Sequence, residues 1–238
     1  MDLVDVFRRT RALVFAGVFL GVVVGGLGGR LAMLILRLTS PDSVTGVLTD
    51  DGFEIGQVTL LGTLSLISFA AIFGLVGAVA YTLVRPWLIG PAWFRNLTCA
   101  AGAGAVVGSA LIHADGIDFI LLKPAWLAIT LFVAIPACFG ALIGPVLAWC
   151  DRPTAWVNTG KYRPWILLVV AFAVSPANVV LAALIAVVMV VWLLVRGSLQ
   201  GIGRNGAVRL VVRAAWVGIA LLGLTVLLQD IQEIRDLV

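Results

Sequence analysis

Residues Trp165–Val195 read WILLVVAFAVSPANVVLAALIAVVMVVWLLV, and the layout of the whole chain turns on them. The stretch is 31 residues long and almost wholly apolar, interrupted once by Ser175-Pro176-Ala177-Asn178. As one straight helix it would extend about 46 Å, against a hydrocarbon core of about 30 Å. Two full spans would need about 40 residues. Pro176 lacks a backbone donor, and its ring clashes with the preceding turn. The stretch therefore reads either as one long kinked helix or as a short helix followed by a full one.

The surrounding chain is that of an integral membrane protein. Of 238 residues, 62% are hydrophobic and 12% charged. A soluble domain is about 45–50% apolar and about 25% charged. Such a chain cannot cover itself with polar surface, which excludes a soluble enzyme, a nucleic-acid-binding domain and a disordered tail. Four further segments qualify readily as spans, at 12–36, 57–84, 97–112 and 125–149, with another at 207–228. Arg8, Arg9 and Arg11 ahead of the first segment resemble a signal-peptide start. The apolar run behind them is too long for that and contains Arg30, so it reads as a retained first helix.

Charge placement chooses between the two readings of 165–195. If the N-terminus is cytoplasmic and the stretch goes out and back, the inner side holds Arg8, Arg9, Arg11, Arg85, Arg95, Arg152, Lys161, Arg163, Arg196, Arg204, Arg209 and Arg213. That is 12 of the 16 basic residues. A single crossing would move Arg196, Arg204, Arg209 and Arg213 outside. Inner connections carry the Lys/Arg excess, so the out-and-back path is favoured. The expectation is an all-α seven-pass bundle: six full spans plus one short or re-entrant helix near 165–175, with the N-terminus in and the C-terminus out. It forms one polytopic domain over 1–238, comprising hairpins at 12–87 and 97–156 and a C-terminal three-helix part at 165–238. The net charge of +4 is then a topology signal that needs no nucleic-acid partner.

The two hairpins carry related punctuation. Asp51-Gly52-Phe53-Glu54-Ile55 and Asp115-Gly116-Ile117-Asp118-Phe119 stand 64 residues apart, each before a helix. Arg85-Pro86-Trp87 and Arg152-Pro153, with Trp156, follow those helices. Two readings stand side by side: a parallel repeat related by an axis along the membrane normal, as found in transporters, and independent turn chemistry.

Glycines recur every fourth residue at Gly17, Gly21, Gly25 and Gly29, and in pairs at Gly104 and Gly108 and at Gly140 and Gly144. That spacing strips side chains from one stripe and lets another helix approach. It reads first as packing within the bundle, and second as contact with another copy or as a surface that slides during a conformational cycle. Arg30 is the one basic residue inside a span. A guanidinium at that depth either snorkels to the outer headgroups or pairs with a carboxylate or an anion in a cavity. Glu54, Asp115 and Asp118 are its candidate outer partners. Asn178 could cap the second half of the broken helix, where discontinuous helices build solute sites. Arg204, Arg209 and Arg213 form a basic strip suited to anionic lipid headgroups.

No motif names a reaction or a cofactor. Cys99, Cys138 and Cys150 are far apart and form no Cys-x-x-Cys, and Cys99 and Cys138, in apolar segments, read as core residues. A single histidine, His113, excludes a multi-histidine metal or haem site within this chain. No metal site and no catalytic residue are assigned. Three functions remain in order: a small-solute or ion transporter or channel, a non-catalytic membrane subunit that anchors partners, and a lipid-modifying enzyme. Fourteen arginines against two lysines, with abundant Ala, Val and Gly, suit a bacterial cytoplasmic membrane.

Overall fold

Small residues at every turn decide how the first two helices meet. The computed structural model describes residues 3–44, 46–47, 59–113, 116, 119, 121–159, 183, 185–193 and 206–237. Helix one runs through three pieces: α1 (Leu3–Leu20), a π-helical segment (Gly21–Leu27) and α2 (Gly28–Thr39). It crosses α3 (Leu60–Val84) in antiparallel fashion. A Cβ on Gly21 would land on the Ala70 carbonyl oxygen, and one on Gly74 would land on the Gly17 carbonyl oxygen. Only glycine permits this approach, in which backbone touches backbone.

The other helices follow local signals. Thr59 caps α3 by accepting a hydrogen bond from the Gly62 amide at 3.1 Å. Arg85-Pro86-Trp87 closes it in a 3₁₀ turn, and Gly90, at φ +89°, turns the chain into α4 (Ala92–Leu111). Pro91 and Pro124 stand immediately before α4 and α5 (Ala125–Cys150), in extended conformations that admit proline. Pro136 and Pro145 lie inside α5. The last helix is α6 (Gly206–Leu237). Helix is the only regular structure among the described residues.

Among the described residues, four helical stretches are long and apolar enough to cross a membrane: Arg8–Thr39, Gly62–Trp87, Ala125–Cys150 and Gly206–Asp236. The stretch read as a span at 97–112 lies in α4, which starts earlier and is not among the four. Its first turns carry Arg95, Asn96 and Thr98, and these lower its hydropathy.

Two cores form at opposite ends of the bundle. One packs Leu13, Ala16, Leu75, Ile143, Leu147 and Met189 together. The other packs Leu36, Val44, Ile112, Phe119, Leu227 and Ile234. The first lies at what we call the basic end, where Arg9, Arg85 and Asp151 line one cavity and Arg213 Nε donates to the Trp87 carbonyl at 3.0 Å. At the far end, Ser40 Oγ accepts from the Lys123 amide at 2.9 Å. The start of helix one, the ends of α3 and α5 and the start of α6 therefore share the basic end. The C-terminal turns of α6, with Asp230, Glu233 and Asp236, lie at the far end. The start of the broken apolar stretch, through Ser175-Pro176-Ala177-Asn178, lies outside the described residues. The described residues 185–193 are helical, and Met189 and Leu193 stand at the basic end beside Arg9 around the cavity.

Candidate functional site

The glycine stripe grades from tight to open along helix one. Gly17 meets Ala78 Cβ at 2.9 Å from its ideal Cβ position, and Gly25 meets Ala70 Cβ at 3.1 Å. At Gly28 and Gly29 the nearest atoms stand at 3.9 Å, which is ordinary contact. Helix one and α3 thus separate beyond the π segment, toward the far end. In the second hairpin a Cβ on Gly140 would stand 2.5 Å from the Cys99 carbonyl oxygen, one on Gly104 3.3 Å from Ala137 Cβ, and one on Gly108 3.2 Å from Val133. Gly144 differs from these, because its neighbours are polar. Asn96 Oδ1 and the Tyr81 hydroxyl lie 2.7 and 2.8 Å from its Cβ position.

Arg30 sits where the first pair opens. The helix continues to Thr39, nine residues beyond Arg30. The side chain therefore starts about 14 Å below the helix end, deeper than the apolar run alone suggests. The residue is half-buried, and its Nε is buried with no hydrogen-bond partner among the described residues. An unmatched donor of this kind is costly in an apolar surrounding. Glu54, Asp115, Asp118 and Asn178 lie outside the described residues, as does Arg204.

A second polar cluster occupies the basic end, and reading the sequence did not single it out. Arg9, Thr82, Arg85 and Asp151 line a cavity of about 50 Å³, closed by Leu13, Leu147, Met189 and Leu193. Burial pushes the Asp151 carboxyl above its ordinary value of 3.8, while Arg85, Arg9 and Arg8 pull against that shift. Beside it, Arg11 Nη2 donates to Asn158 Oδ1 at 2.7 Å. Asn158 Nδ2 in turn donates to the Cys150 and Arg152 carbonyls, both at 2.7 Å. One asparagine thereby caps α5 and ties it to helix one. One signal was available: Asp151 is one of only three acidic residues that the charge reading groups with the arginines expected on the inner side.

The basic strip of α6 divides. Arg209 is exposed, whereas Arg213 is held by the Trp87 carbonyl. Among the described residues no three His, Cys, Asp or Glu side chains gather as metal ligands. Comparison with family models, with curated proteins and with solved structures finds no match.

Proposed function

We propose that the chain is a seven-pass transport protein of a bacterial cytoplasmic membrane, and that it carries a small anionic solute past Arg30. The observation that carries this reading is the buried, unmatched Nε of Arg30 at the point where helix one leaves α3. A guanidinium inside a bundle calls for an anion or a carboxylate, and an anionic solute meets that need transiently. The π segment directly below supports the same reading, since such irregular turns cluster at functional sites. So do the two prolines inside α5. The hairpins formed by helix one with α3 and by α4 with α5 run in the same sense. Both are sealed by glycine, which favours the parallel repeat.

Charge supports the orientation. Arg9, Arg85, Arg209 and Arg213 belong to one end of the bundle, and Asp230, Glu233 and Asp236 to the other. The basic end is then the cytoplasmic one. Thr159 and Gly206 flank residues 160–205 at that same end, which favours an out-and-back path between them. A fluorescent protein that matures only in the cytosol, fused after Val238, should stay dark; bright cells would overturn this layout.

The solute path has its own test. In a chain with Cys99, Cys138 and Cys150 replaced, Arg30→Cys should react with a membrane-impermeant thiol reagent. No labelling at that position sinks the transport reading. A second reading is a membrane subunit that anchors other chains, and the exposure of α6 favours it. Only 6% of the most apolar window of α6 is buried. Co-purification of a stoichiometric partner in mild detergent would support that reading, and a lone monomer would count against it.

A further inference from the structure

Helix one and α5 leave an open groove of about 290 Å³ between them, lined by Phe15, Phe19, Pro145, Val146 and Trp149. Its size approaches the roughly 300 Å³ at which ligand sites begin. Its walls are almost entirely apolar. Phe15 and Phe19 stack with ring centroids 5.8 Å apart and form one wall. The other wall is shaped by Pro145, whose ring displaces the carbonyl four residues earlier and bends a helix locally. Phe19, Pro145 and Trp149 are exposed, so the groove opens toward the lipid side. Trp156 closes the lower edge, its ring 6.0 Å from that of Phe15.

The basic end continues this groove with positive charge on both walls. On helix one, Arg8 lies seven residues before Phe15, two turns down on the same face. On the other wall, the Arg152 amide bonds the Trp149 carbonyl at 3.2 Å, which places Arg152 one turn below that ring. Arg152 is exposed. Arg8 pairs with Asp5 at 2.9 Å, and both side chains are 41% exposed. A surface pair of that kind is weak, so a phosphate can replace it. An apolar slot at hydrocarbon depth, an aromatic edge at its mouth and two arginines at headgroup depth match one amphiphile in order along its length.

We infer that this groove is a binding site for an anionic glycerophospholipid: one acyl chain lies between Phe19 and Trp149, and Arg8 and Arg152 hold its phosphate. The site is separate from the Arg204–Arg213 strip and does not depend on the transport reading. It stands whether the protein transports or anchors.

The test uses the purified full chain in nanodiscs of phosphatidylcholine, with or without phosphatidylglycerol. Native mass spectrometry counts retained lipid, and a thermal melt reads the shift in midpoint. The wild type should retain phosphatidylglycerol and melt later with it than with phosphatidylcholine alone. Each arginine near the surface is worth about a fivefold change in affinity. Arg8→Gln with Arg152→Gln should therefore cut retention more than tenfold, while Arg235→Gln, at an exposed arginine of the far end, changes it little. Val146→Trp fills the groove and should abolish retention while leaving the size-exclusion profile unchanged, which separates a lost site from a lost fold. Equal losses from Arg235→Gln and from the Arg8/Arg152 pair would overturn the site in favour of unspecific attraction. So would full retention by Val146→Trp, displacement of the lipid by inorganic phosphate alone, or a disulfide dimer formed by Trp149→Cys.

Discussion

The membrane-length stretches of helix one (Arg8–Thr39) and α6 (Gly206–Asp236) have 32 and 31 residues, and their most apolar parts have the same mean hydropathy, yet protein buries 56% of one such part and 6% of the other. Hydropathy therefore states that both belong in a bilayer and says nothing about which is central. The distinction lies in what their glycines touch. Gly17 and Gly21 meet the backbone of α3 directly. Among the described residues nothing on another element lies within 4 Å of a Cβ placed on Gly206 or Gly218 of α6, and that helix is attached where Gly223 meets Val106 and where Leu227 enters the far core. In lipid no hydrophobic force draws two apolar helices together, so close van der Waals contact between small residues decides the interior.

Substitutions can break or sharpen that contrast. Gly21→Leu should have the largest effect. Its Cβ meets a backbone oxygen that cannot swing away, and a cost above about 3 kcal/mol is expected. Loss of the monodisperse peak in detergent chromatography would show it, and a variant as stable as wild type would refute the close crossing. Asn158→Ala should come next, at about 2–3 kcal/mol, because it removes three hydrogen bonds and strands the Arg11 guanidinium. A thermal melt reads that loss directly.

Asp151 should give a smaller, pH-dependent effect. Its carboxyl titrates above 3.8 in the fold because burial disfavours the charged form. The folded state therefore holds the proton more tightly than the unfolded state. Stability relative to Asp151→Asn is greatest below pH 3.8 and declines as pH rises through the raised value. Paired melts across that range should converge in this direction, and a wild type that gains on the variant with rising pH contradicts it. The smallest effect belongs to Gly218→Leu, where open space predicts a change within about 0.5 kcal/mol. A large loss there would mean that α6 has a partner surface after all.

Much of the architecture is legible in residue order, and specific features are not. The apolar runs mark the helices, and Arg85-Pro86-Trp87 marks a helix end, because hydropathy and proline act locally. The every-fourth spacing from Gly17 to Gly29 names a close-packed face but cannot name α3 as its neighbour. The tie from Arg11 to Asn158 spans 147 positions, and no local pattern announces it. The cavity around Asp151 draws its walls from four separate stretches of chain, so the arginines there look in sequence like topology signals alone. Arg30 stands out in sequence as a charge in a span, while the missing partner of its Nε is visible only in three dimensions.

The wide turn at Gly21–Leu27 has a consequence for phase. Four residues overshoot one turn of α-helix, so a strict every-fourth stripe drifts around the cylinder. The same four residues fall short of a π turn, which winds more slowly. Alternating the two geometries lets the stripe recover its heading partway along. Helix one therefore behaves as two rods joined at a fixed angular offset, with Arg8 indexed to one and Arg30 to the other. Removing a single residue from that joint would turn the upper rod by about 100° and point Arg30 at a different neighbour, with every other side chain left intact.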